Sequence, residues 1–135
     1  MNLERGELDL LFVNDLRMRR LNARYRGVDA ATDVLSFPLY GSTREIQRQV
    51  GGSTAASCGA PEPLLGDVVI NPGRAALQAR QYGLTLDEEL TRLMVHGILH
   101  LIGYDHERNP YQARKMFLKQ EELIHALAEM DRELK

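Results

Sequence analysis

Apolar and polar positions along this chain fall into blocks of two periods, one suited to strands and one to helices. Residues 7–13 (ELDLLFV) are mostly apolar and end in β-favouring side chains, which predicts a strand. Asn14 suits the N-cap of a following helix. In that helix Leu16, Leu21 and Tyr25 would supply the apolar stripe, and Gly27 would stop it. Residues 33–37 (DVLSF) predict a second strand whose pairing weakens at Pro38. Residues 64–70 (LLGDVVI) hold enough consecutive apolar groups for a third strand buried on both faces. Asn71-Pro72 opens a helix, because proline is tolerated at the first helical position, and Gly83 closes it. Thr85 and Glu88 form a T-x-x-E capping box ahead of a long helix that should end at Gly103. Asn109-Pro110 starts a last helix running to about Leu127.

The stretch 41–63 breaks both periods. It is rich in Gly, Ser, Ala and Pro with few large apolar groups, so it predicts a long mobile loop. No internal repeat or second domain is visible, and residues 1–135 read as one domain.

Composition narrows the setting more than the function. A net charge of −2 means that overall charge will not drive the chain onto nucleic acid or membrane. A local cationic patch exists, however, in Arg17, Arg19, Arg20, Arg24 and Arg26. One cysteine, Cys58, rules out an intramolecular disulfide and fits a reducing compartment. The N-terminal residues lack an apolar core of signal-peptide length, and no apolar run reaches membrane-spanning length. A cytoplasmic protein with no membrane partner is expected.

The chemistry concentrates in residues 96–106, HGILHLIGYDH. His96 and His100 are four apart on a predicted helix, so both imidazoles lie on one face and can reach one ion. Gly103 permits a sharp turn, and His106 can fold back as a third ligand. Three neutral ligands leave a fourth tetrahedral position for water, whose pKa zinc lowers towards ~7. An isolated histidine, or even an i, i+4 pair, usually carries no metal. Three at H-x3-H-x5-H, with glycine where a turn is needed, is a far more specific pattern. The expected cofactor is one zinc ion per chain, although three histidines also suit nickel, copper or iron. The fourth histidine, His125, reads as a surface or packing residue on the last helix.

The spacing matches the long zinc-protease motif, H-E-x-x-H-x-x-G-x-x-H, and so predicts a zincin-like metal helix. The general-base glutamate of that motif is replaced by Gly97, which argues against a peptidase.

The same residues resemble the signature of the YbeY family, bacterial endoribonucleases of ribosomal RNA maturation. Residues 21–38, LNARYRGVDAATDVLSFP, are similar to the family's N-x-x-Y-R-x-x-D-x-P-T-D-V-L-S-F-P block, with Ala31 in place of the proline. Residues 65–70, LGDVVI, resemble its L-G-D-[IV]-x-I strand. The blocks occur in the family's order and cover most of the chain. The resemblance implies an α+β fold, a small mixed β-sheet packed with several α-helices. It implies a zinc-type metal on His96, His100 and His106. It implies single-strand RNA cleavage, processing of the small-subunit (16S) rRNA 3′ end, and ribosome quality control. Arg26 matches the family's functional arginine.

For phosphodiester cleavage the reactive element is expected to be metal-bound water or a metal-polarised phosphate. Negative charge builds on equatorial oxygens, which a permanently protonated guanidinium can bind in pairs. Arg26 is the candidate for that role. Asp105 can hold a ligand imidazole by accepting its second N–H, or simply form a turn. Asp67 can support the site or a strand bend, and Ser36 and Asp33 can face the cleft. Arg17, Arg20 and Arg24 can bind RNA backbone, or simply form a solvated helix face. With no tryptophan and 6% aromatic residues, no base-stacking platform is evident. Weak intrinsic sequence specificity follows, with ribosomal proteins or the small subunit supplying the targeting. Two other readings stay open: a metallohydrolase of peptides or small molecules, and a non-catalytic ribosome assembly factor with a structural metal.

Overall fold

The computed structural model describes residues 6–39, 64–104 and 109–134. The expected loop at 41–63 lies outside them. The described elements are β1 (Glu7–Phe12), α1 (Asp15–Arg26), β2 (Val34–Pro38), β3 (Leu64–Ile70), α2 (Pro72–Tyr82), α3 (Leu86–Leu101) and α4 (Pro110–Leu134).

The class is α+β with a mixed sheet, as the resemblance implies. Strand order is β1-β3-β2, with β3 parallel to β1 and antiparallel to β2. The most apolar strand therefore takes the centre, where both faces must be covered. Val68 and Ile70 point into the larger cluster with Leu93, Leu99 and Leu101 of α3 and Met116 of α4. Val69 points the other way, onto Met18 of α1 and Leu35 of β2. The helix α1 thus lies on one face of the sheet and α3 on the other, with α4 packed against α3.

The alternation slips once. Leu8 pairs with Gly66 while Glu7 pairs with Leu64, so Leu65 is left between them and turns into the larger cluster. Gly66 makes this possible with φ +142°, and a Cβ there would overlap the Phe37 carbonyl oxygen.

Most helix ends follow from their caps. Asn14 accepts from Arg17 N, and Gly27 closes α1 in the left-handed region. Asn71 caps α2 and is almost fully buried, donating from Nδ2 to Asp15 while its own N–H goes to the Asp33 carbonyl. The Thr85/Glu88 box is reciprocal, at 3.0 and 3.1 Å. Beyond Leu101, the Tyr104 N–H returns to the Leu99 carbonyl at 3.0 Å, and Gly103 takes φ +105°. The last helix continues to Leu134, past the expected end at Leu127, because AEMDREL contains strong helix formers and no stop signal.

One stripe differs from expectation. In α1 the buried residues are Met18 and Asn22, while Leu16 and Tyr25 are more than half exposed. Asn22 takes a core position because its Nδ2 ties down the Ala30 carbonyl at 2.8 Å, holding the connection to β2. Tyr25 instead leans edge-on against Phe37, with ring centroids 5.3 Å apart. Among the described residues, no helix is long and apolar enough to cross a membrane.

Candidate metal centre

The site is built on the C-terminal half of α3. Leu93, Gly97 and Leu101 share, at helical spacing, the face that meets the sheet and so orient the rest of the helix. His96 and His100 come out on a half-buried flank, with ring centroids 4.8 Å apart and planes at 77°. Two imidazoles on one tetrahedral zinc, at nitrogen–metal distances near 2.0–2.1 Å, would place their centroids about 5 Å apart. The pair therefore fits a shared ion. His106 and Asp105 lie outside the described residues, and among the described residues no group of three ligands assembles. Gly103, in its positive-φ conformation, turns the chain directly ahead of them.

Gly97 lies against the sheet. A Cβ there would come within 2.7 Å of Val68 Cγ1 and 3.1 Å of Ser36 Oγ. The α3 backbone approaches so closely that Ser36 Oγ donates to the Gly97 carbonyl at 3.1 Å. A residue at 97 therefore points into the β2–β3 surface. The missing glutamate has a physical reason here, since a carboxylate at that position would be driven into Val68.

A polar contact that the sequence reading missed completes the described part of the site. Gln120 of α4 is buried, and its Oε1 lies 2.8 Å from His96 Nδ1. The available signal is a polar residue inside an apolar stripe, with Met116, Leu123 and Ile124 around it at helical spacing.

The remaining candidates separate by layer. Ser36, opposite Val68 in the register, faces α3 and holds it to the sheet. Asp33 is a turn former at the entry to β2: its Oδ1 accepts from Val34 N at 2.8 Å and Thr32 Oγ1 at 3.2 Å. Asp67 is opposite Phe37 and Asp9 in the register, on the α1 side of the sheet and away from the histidines. Burial pushes the Asp67 carboxyl above its ordinary value, and repulsion from Asp9 and a hydrogen bond with it add to the rise. Arg17, Arg20 and Arg24 share one exposed face of α1 at helical spacing, and Arg24 also stacks over Tyr25 at 5.3 Å. Arg19 is engaged in a two-bond ion pair with Asp29, at 2.7 and 3.0 Å. Arg26 is exposed at the end of α1. His125 is on the surface, beside Glu129 at 3.2 Å.

The chain has clear relatives. The family described as Endoribonuclease YbeY matches residues 1–128. Over 121 residues the chain is 48% identical to the Endoribonuclease YbeY of Anaeromyxobacter sp. (strain Fw109-5), which covers 90% of this chain and 54% of that protein. It is 41% identical over 127 residues to that of Sulfurihydrogenibium sp. (strain YO3AOP1), covering 94% of this chain and 74% of that one. The chain thus spans little more than half the length of the first relative. The solution structure of TM1509 from Thermotoga maritima superposes with a TM-score of 0.61 at 28% identity, over 96% of this chain and 73% of that one.

Proposed function

The chain belongs to the YbeY endoribonuclease family, and from that membership we propose that it is a metal-dependent endoribonuclease of ribosomal RNA. The observation that carries the reading is the His96/His100 pair on one flank of α3, 4.8 Å apart and followed by the Gly103 turn. His96, His100 and His106 would hold one zinc ion. Bound there, zinc would supply Lewis acidity and a water acidified towards ~7.

The protein's own groups do the rest. The Arg26 guanidinium binds the phosphate oxygens on which charge develops. Arg17, Arg20 and Arg24 bind RNA backbone through an exposed stripe, which gives salt-dependent and sequence-independent affinity. Asp105 orients a ligand imidazole by accepting its second N–H. Ser36 acts indirectly, by fixing the depth of α3 on the sheet. Asp67 has no part at the metal, because it faces the other layer. The substrate is single-stranded RNA at the small-subunit (16S) rRNA 3′ end, in the cytoplasm. Ribosomal proteins or the small subunit direct the cut, and the activity serves ribosome quality control. The peptidase reading is disfavoured by Gly97, whose position faces Val68.

The test is metal content and RNA cleavage measured together on the wild type, the His96→Ala/His100→Ala variant and Arg26→Ala. The proposal expects about one zinc per chain and chelator-sensitive cutting of single strands in preference to duplexes. The histidine variant should lose both properties, and Arg26→Ala only the cutting. Undiminished cutting by the metal-free histidine variant, or chelator-sensitive cleavage of unfolded protein without RNA cleavage, overturns it.

A further inference from the structure

We infer that Gln120 is a positioning residue that sets the tautomer of His96 and thereby leaves its Nε2 as the metal-binding nitrogen. The inference rests on the metal reading above but concerns a residue of α4, far from the histidine motif in sequence. Gln120 is 6% exposed and sits on the same face of α4 as Met116, which is 1% exposed. A buried amide in an apolar stripe costs stability unless it is hydrogen-bonded. Its carbonyl oxygen meets His96 Nδ1 at 2.8 Å. An amide oxygen only accepts, so Nδ1 must carry the proton. In a neutral imidazole the other nitrogen, Nε2, is then unprotonated and carries the lone pair that a cation needs.

The arrangement explains why an amide serves at this position. A metal-ligating histidine needs its second N–H held, and a carbonyl, carboxylate or water can do that. A glutamine fixes the ring without adding a buried charge of its own. The contact also joins two elements: α4 must be docked on α3 for His96 to be oriented. Folding of the last helix and readiness of the site are thereby linked. With the amide turned end for end, its NH2 would donate to Nδ1 and the proton would move to Nε2. That arrangement would block metal binding through Nε2.

The experiment reads the tautomer directly. Zinc-free, 15N-labelled full chain is examined by long-range 1H–15N correlation above the imidazole pKa, with His96 assigned by the loss of its signals in His96→Ala. The inference expects protonated Nδ1 and unprotonated Nε2 in the wild type. Gln120→Glu keeps an acceptor and should keep that tautomer. Gln120→Leu should lose it, and its zinc affinity, measured by competition with a chromophoric chelator, should fall about 10-fold or more. A wild-type His96 protonated on Nε2 overturns the inference. So does a folded Gln120→Leu variant whose zinc affinity stays within about twofold of wild type. Should Gln120→Leu fail to fold, the wild-type and Gln120→Glu spectra still decide. Should the wild type bind no zinc while the tautomer follows Gln120, the metal reading fails and the Gln120 assignment stands.

Discussion

Gly97→Ala separates tertiary packing from intrinsic helix preference, because the two predict opposite signs. Position 97 lies inside α3, where replacing glycine with alanine should stabilise by roughly 1 kcal/mol on propensity alone. The added methyl, however, would sit 2.7 Å from Val68 Cγ1 and 3.1 Å from Ser36 Oγ. Carbon–carbon contacts are optimal at about 3.5–4.0 Å, so α3 and β3 must part by about 1 Å. Val68 is fully buried and β-branched, so it cannot swing away. Overpacking of this kind costs about 1–3 kcal/mol. The Ser36–Gly97 hydrogen bond stretches as the helix lifts, which adds about 1 kcal/mol. The net expectation is a loss of about 1–3 kcal/mol, roughly 4–10 °C in Tm for a domain of this size. Urea unfolding and thermal melts of wild type, Gly97→Ala, Val68→Ala and the double variant measure it. Shortening Val68 makes room, so the double variant should recover about 1 kcal/mol relative to the sum of the singles. A Gly97→Ala protein as stable as wild type or more so would refute the close-approach argument. Gly97→Glu, which recreates the peptidase motif, should unfold the domain and yield no peptidase activity.

Three further outcomes follow from polar groups that are buried or partly buried. Asn71→Ala removes a cap and the hydrogen bond to Asp15 together, and should cost about 2–3 kcal/mol in urea unfolding. Arg92→Ala strands the fully buried Glu89 carboxylate and should cost about 2–3 kcal/mol, less than a wholly buried pair because Arg92 is 38% exposed. Adding Glu89→Gln to Arg92→Ala should restore much of that loss, and a double variant no more stable than Arg92→Ala would refute it. Asp67 has a native pKa raised above its unfolded value, so its contribution is fully present in acid below the unfolded pKa. That contribution is lost as pH rises through the native value. Asp67→Asn should therefore melt higher than wild type at neutral pH, with the advantage vanishing in acid; a gain that is constant with pH would refute this origin.

The legible part of the protein was local. Caps and stops are read by side chains three or four residues away, so Asn14, Gly27, Asn71, Gly83 and the Thr85/Glu88 box marked their helices. The run LLGDVVI announced a strand covered on both sides, and the spacing of His96 and His100 alone placed two imidazoles on one helix flank. Contacts between distant elements were not legible. The α1 stripe was misread at Leu16 and Tyr25 because a hydrogen bond to Ala30 draws Asn22 inward, and apolar periodicity cannot register a polar group satisfied by tertiary contact.

At the site the same division holds. The sequence by itself determined that His96 and His100 share one flank of a helix, because that placement depends only on their spacing. Only the tertiary structure decided that position 97 faces Val68, that Asp67 belongs to the other layer, and that Gln120 meets His96. Each of these depends on how two elements pack, and that is set by the whole core rather than by either segment alone.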